Sequence, residues 1–419
     1  MRLHIKNARV VDPASGKDGP GELFIADGKI TKELSKPERV IDAKGLVLAP
    51  GFIDLAARLR EPGYEYKATL ESEMDAAVAG GVTSLACPPD TDPPLDEPGL
   101  VDMLRRRAKA LARARVYPIG ALTVKLAGEG LTEMGQLSDA GCVAFSQANA
   151  PLADTQVLWR ALQYAATFGY PVWLRAEDAW LAKAGVAHDG EIATRLGLPG
   201  IPAFAETIAL ATILELVRAT GARVHICRLS SAGAVDLIRR AKEEKLPVTC
   251  DVGVHHAHLC DLDLGYFDPN CRLEPPLRSQ RDRDALARAL AEGVVDCLCS
   301  DHTPVDEDGK HLPFSQAEPG ATGLELLLPL TLKWGQGQKL SLAATLARIT
   351  SEPARVLGIS AGRLAPGAPA DLVLFDPAAH FTVAAASLRS QGKNTPFLGY
   401  ELAGRVHCTI VDGKVVYES

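Results

Sequence analysis

Residues 51–63 read Gly51-Phe52-Ile53-Asp54-Leu55-Ala56-Ala57-Arg58-Leu59-Arg60-Glu61-Pro62-Gly63. A mostly apolar run, Phe52–Leu59, is closed by charged residues and Pro-Gly, the punctuation that ends a buried strand. Seven more such runs follow: Val82–Cys87, Val116–Leu122, Cys142–Phe145, Pro171–Leu174, Arg223–Leu229, Pro247–Val254 and Val294–Ser300. Between them lie stretches with helical spacing, among them Thr69–Ala79, Leu100–Ala112, Thr155–Phe168, Glu206–Thr220, Gly233–Lys245 and Arg281–Glu292. Eight strands alternating with helices over roughly 250–300 residues predict an α/β chain folded as a (β/α)8 TIM barrel. Near-continuous apolar runs suit parallel strands covered on both faces. A doubly wound open sheet is the alternative, but no Gly-x-Gly-x-x-Gly follows the first strand.

The two ends of the chain read differently. Leu3–Val11, Glu22–Ile25 and Arg39–Ile41 are short strands, as are Asp371–Phe375, Cys408–Val411 and Val415–Tyr417. Asp27-Gly28 and Asp412-Gly413 sit between apolar runs, a strong hairpin signal. Both ends are therefore expected to meet in a small β-sandwich domain of residues 1–50 plus 362–419, beside a barrel of residues 51–361.

The 419 residues are 47% hydrophobic, enough for a large core, and carry a formal net charge of −7. A mildly acidic chain gives no electrostatic case for nucleic acid or an anionic membrane. No apolar run approaches the ~20 residues of a membrane span, and no charged leader with a long apolar stretch is visible. A cytoplasmic protein is expected. The nine cysteines contain no Cys-x-x-Cys pair and read as reduced packing residues.

The stretch from Gly51 to Gly63 resembles the opening of dihydroorotases and, more loosely, of hydantoinases. Gly80-Gly81-Val82-Thr83-Ser84 with Pro89-Asp90-Thr91-Asp92-Pro93, Leu198-Pro199-Gly200-Ile201-Pro202, Pro275-Pro276-Leu277-Arg278-Ser279, Asp301-His302-Thr303-Pro304 and Pro353-Ala354-Arg355-Val356-Leu357-Gly358 are similar to further motifs of that family, in the same order. The resemblance implies an amidohydrolase barrel and metal-assisted opening or closure of a cyclic amide, with zinc generating a hydroxide and polarising a carbonyl.

That chemistry needs ligands at fixed strand ends. Where the resemblance implies His-x-His after the first strand, the chain has Ala56 and Arg58. Where it implies a bridging carboxylate on the fourth strand, the chain has Gln147, and no lysine lies between Lys125 and Lys183 to form a carbamate. Arg175 and Arg228 stand at the histidine positions of the fifth and sixth strands. Only Asp301, on the eighth, is kept. Arginine stays protonated and has no lone pair to give a cation. Of the substrate contacts the resemblance implies, Arg60 is kept, while Asp90 and Glu274 stand where asparagines are expected.

These replacements lead to the expectation of no metal, no intact catalytic group and a pseudo-enzyme. Arg58, Arg175 and Arg228 are expected to fill the old metal space and to pair with Asp301, Glu177, Glu274 or Asp90. His255, His256 and His258 after the seventh strand read as structural, His302 as an orienting residue whose next family histidine is replaced by Val305, and His225 as external by strand parity. The resemblance implies a pyrimidine-pathway subunit associating with aspartate transcarbamoylase and with copies of itself. A zinc-dependent cyclic amidase with altered ligands (Asp301 with His302, His255 or a cysteine) and a metal-free anion-binding protein are the alternatives.

Overall fold

The computed structural model describes residues 2–419. Eight parallel strands form the barrel: β1 (Phe52–Asp54), β2 (Val82–Cys87), β3 (Arg115–Ala121), β4 (Ala144–Ser146), β5 (Val172–Leu174), β6 (Val224–Ile226), β7 (Val248–Gly253) and β8 (Cys297–Cys299). They lie in sequence order, and a parallel bridge between Ala57 and His302 draws the two edges together. Each expected run overlaps one of these strands. The first run was expected to stay extended to Leu59, but β1 ends at Asp54. Asp54 accepts the backbone N–H and hydroxyl of Ser300 at 2.6 Å each, which ties β1 to the end of β8.

The helices between the strands begin at side-chain caps. Thr69 and Ser72 form a reciprocal capping box, and Asp154, Ser231 and Ser279 each accept N–H groups of a first turn. A cap supplies a partner for backbone donors that the helix itself cannot satisfy. The barrel interior is filled by alternate strand residues, Ile53, Ala86, Ile119, Ala144, Trp173, Cys297 and Cys299. The helix Ser351–Leu357 packs against β1 and β8, and its Ala354 and Leu357 join the same cluster.

The chain ends share one eight-stranded sheet. They join where Val47–Pro50 pairs antiparallel with Leu372–Thr382, Leu48 opposite Leu374. Both Asp-Gly pairs have positive φ at both residues, 52° and 74° at Asp27-Gly28 and 52° and 69° at Asp412-Gly413, as tight hairpin turns require. Arg115 at the start of β3 reaches Asp371 at 2.8 Å and pins the sheet to the barrel floor. Among the described residues, no helix is long and apolar enough to cross a membrane.

Candidate functional site

The C-terminal ends of the strands form the barrel mouth, and three arginines enter it. Arg58 and Arg228 are each 4% exposed at the side chain. Arg58 donates through Nε to Asp90 at 2.7 Å, through Nη1 to Thr303 Oγ1 at 3.0 Å and Asp301 at 3.4 Å, and through Nη2 to Asn149 Oδ1 at 3.1 Å. Arg228 donates to the same Asp301 oxygen at 3.1 Å and the same Asn149 oxygen at 2.6 Å. Arg175 grips Glu177 with two bonds of 2.6 and 2.7 Å and donates to the Asn149 carbonyl at 2.9 Å. The guanidiniums are turned inward and paired, as the loss of ligands predicted. Unpaired, the buried carboxylates would cost several kcal/mol each.

Local backbone geometry aims these side chains. β6 stops at Ile226, and Arg228 has φ 56°, so its side chain leaves the strand alternation and swings over the mouth. Its N–H is held by Asp251 at 2.6 Å. Asp301 has φ 46°. Ala148 has φ 51°, which turns the chain over between Gln147 and Asn149. Gln147 consequently points away from the centre, accepting from Thr123 at 2.9 Å and donating to the Leu126 carbonyl at 2.8 Å. Asn149 takes the centre and donates to Glu274 at 3.0 Å. Sequence reading missed Asn149, although it lies two residues beyond the Gln147 position that drew attention.

Charge distribution follows from these contacts. Burial alone would push the Asp90 carboxyl up, but the guanidiniums of Arg58, Arg60 and Arg228 outweigh it and hold the group below its ordinary value. Burial would lower Arg228, yet the Asp301 carboxylate beside it raises it on balance. Arg60 has no carboxylate partner among the described residues. It donates to the Pro304 carbonyl at 2.8 Å and lies 5.9 Å over the Tyr64 ring, and burial, then Arg58, lower its pKa.

The histidines divide. His302 lies between Glu73, at 2.5 Å from Nε2, and the Gly323 N–H, at 3.1 Å from Nδ1, which uses both ring nitrogens in holding the loop. His256 bonds the Pro275 carbonyl at 3.0 Å and His258 the Leu330 carbonyl at 2.8 Å. His255 stacks on Phe397, and burial brings both His255 and His258 down to about 4. His225 corrects the expectation of an external side chain. It lies inside the barrel, 4.7 Å from the Trp173 ring, with Thr249 at 2.8 Å and Asp251 at 2.9 Å. The parity argument failed because it took Arg228 as a strand residue facing the interior, whereas the strand had already ended.

Zinc needs lone pairs from nitrogen, sulfur or oxygen in tetrahedral array. At the positions in question stand a methyl group (Ala56), an amide turned aside (Gln147), three guanidiniums and Asp301, which is engaged by two of them. These residues do not fit a zinc centre. Among the described residues, the only grouping of three metal-capable side chains is His225, Cys227 and Asp251, within 4.8 Å of one another in the barrel interior. Its Asp251 is already bonded to His225 and to the Arg228 N–H.

The chain matches a family described as dihydro-orotase-like over residues 45–234 and an amidohydrolase family over residues 173–417. It is 47% identical to a dihydroorotase-like protein of Pseudomonas aeruginosa, over the full length of both chains. It is 40% identical to a dihydroorotase of Geobacter sp. strain M21, again over the full length of both. Among solved structures it resembles the L-hydantoinase (dihydropyrimidinase) from Arthrobacter aurescens, with a TM-score of 0.86 at 26% identity over 99% of this chain and 96% of that one. These relatives correct the expectation of a pseudo-enzyme, since they carry the names of hydrolases. That expectation weighed only the missing ligands, and similarity over the whole chain points to an enzyme family.

Proposed function

Since the chain belongs to the dihydroorotase-like amidohydrolases, we propose that it serves pyrimidine biosynthesis in the cytoplasm as a subunit that associates with aspartate transcarbamoylase and with copies of itself, its mouth held by guanidinium charge where the family's chemistry uses zinc. The observation that carries this reading is the convergence of Arg58 and Arg228 on one oxygen of Asp301 and on Asn149. Fixed positive charge there neutralises the carboxylates and ties the loops after β1, β4, β6 and β8 into one rigid rim. A rim locked in this way presents an unchanging surface for assembly. A second reading, turnover of a cyclic amide, is supported by the names of the 40–42% identical relatives.

The test has two parts. Protein purified without chelator, incubated with excess zinc and dialysed, is analysed by plasma emission spectrometry, and mixed with aspartate transcarbamoylase on a sizing column. Less than about a tenth of a zinc per chain with co-elution at micromolar concentration is expected. Separate elution defeats the assembly role. One or two zinc ions with turnover of dihydroorotate would put the second reading first.

A further inference from the structure

A groove with a volume of about 620 Å³ lies far from the mouth, on the outside of the barrel floor. One wall is the helix Pro98–Leu111, the floor is the start of β3, and the other wall is the C-terminal hairpin of Glu401–Val411 and Lys414–Glu418. Six basic side chains line it against two acidic ones, Asp102 and Asp412, in a chain whose net charge is negative. Three of the six are committed: Arg105 donates to the Ala140 carbonyl at 2.6 Å, Arg113 pairs with Asp75 at 2.6 Å, and Arg115 pairs with Asp371 at 2.8 Å. Arg106, Lys109 and Lys414 have no ion pair among the described residues.

A helix C-terminus attracts cations by its dipole, and that accounts for Lys109. It does not account for Arg106, a turn earlier, or for Lys414, which comes from the far end of the chain and faces the helix across the groove. Between these charges lie the half-buried side chains of Val116 and Val416.

We infer that this groove binds a polyphosphate group, held between Arg106, Lys109 and Lys414, whether carried by a nucleotide or free. Guanidinium and ammonium groups pair strongly with phosphate oxygens. Arg106 and Lys109 are neighbours on one helix face, about 5–6 Å apart at Cβ, so their long side chains can reach one phosphate chain together. The volume falls within the roughly 300–1,000 Å³ usual for small-ligand sites. A compact ligand concentrates its charge where three free cations meet, whereas the carboxylates of an acidic peptide would be spread along an extended chain.

Calorimetric titration with ATP and with inorganic tripolyphosphate tests the site. Both should bind saturably. The doubly charge-reversed variant R106E/K109E and, separately, Lys414→Glu should each weaken binding about tenfold or more; the three side chains are exposed, and unchanged melting curves would verify folding. Arg60→Ala, at the mouth, should leave binding unaltered. The inference is overturned if neither phosphate binds at millimolar concentration, if binding survives charge reversal, if Arg60→Ala abolishes it, or if a polyglutamate peptide binds while ATP does not.

Discussion

At the mouth, two guanidiniums pair with the Asp301 carboxylate, and the Asn149 amide oxygen accepts from both of them. Asp301 keeps a neighbour at 3.1 Å in Arg228 and a more distant one at 3.4 Å in Arg58. Arg228→Met keeps the bulk and removes the closer cation. The expected loss is about 3–5 kcal/mol in urea unfolding, the usual cost of breaking one side of a buried pair. Adding Asp301→Asn should restore part of it, because the stranded charge is gone. A loss below about 1 kcal/mol in Arg228→Met would mean that Asp301 finds water instead.

Asp90 supplies a pH dependence. Its folded pKa lies below the ordinary 3.8, so its contribution to stability is complete above that value and fades as pH falls through the lower folded value. Asp90→Asn should therefore be less stable than the parent at pH 7, and the gap should narrow on acidification below about pH 4. Urea midpoints at pH 7 and pH 3 measure this, and an equal gap at both would show that the Arg58 contact contributes nothing through charge.

Among the elements, the two Asp-Gly turns show how far local chemistry reaches. Each is a hairpin turn by composition, and each forms one. What composition does not tell is that they abut: a Cβ on Gly28 would lie 2.8 Å from Asp412 Oδ1. Gly28→Ala therefore meets both a positive φ and a neighbour from the other end of the chain. Its expected cost is about 1–3 kcal/mol, read from the shift in urea midpoint; a cost of a few tenths would mean that Asp412 simply swings away. The six helices read from spacing are all present, within three residues at their starts and two at their ends. Those that escaped notice have physical excuses. Met134–Ala140, Leu342–Ala347 and Ser351–Leu357 span two turns or fewer, too short for a period to emerge. Leu327–Gly337 is buried on nearly every side, so its apolar residues do not alternate with polar ones.

Across the whole molecule, barrel and end sheet are one packed body. A single apolar cluster runs from Phe52 and Val82 of the barrel to Val47, Phe375 and Val406 of the sheet, and the Thr409 hydroxyl bonds the Val78 carbonyl at 2.7 Å. Strand runs, turn residues and the identities at each ligand position are local properties, so the sequence by itself determined the barrel, the meeting of the two ends and the replacement of imidazole by arginine. It could not determine where those arginines point. That depends on the positive φ of Ala148, Arg228 and Asp301, and on which oxygens the closed barrel brings within 3.5 Å of each guanidinium. Tertiary structure alone decided that Asn149 rather than Gln147 stands at the centre, that His225 is interior, and that Lys414 faces Arg106 across a groove. Each of these joins residues far apart in the chain, and only the closure of the strands sets their distance.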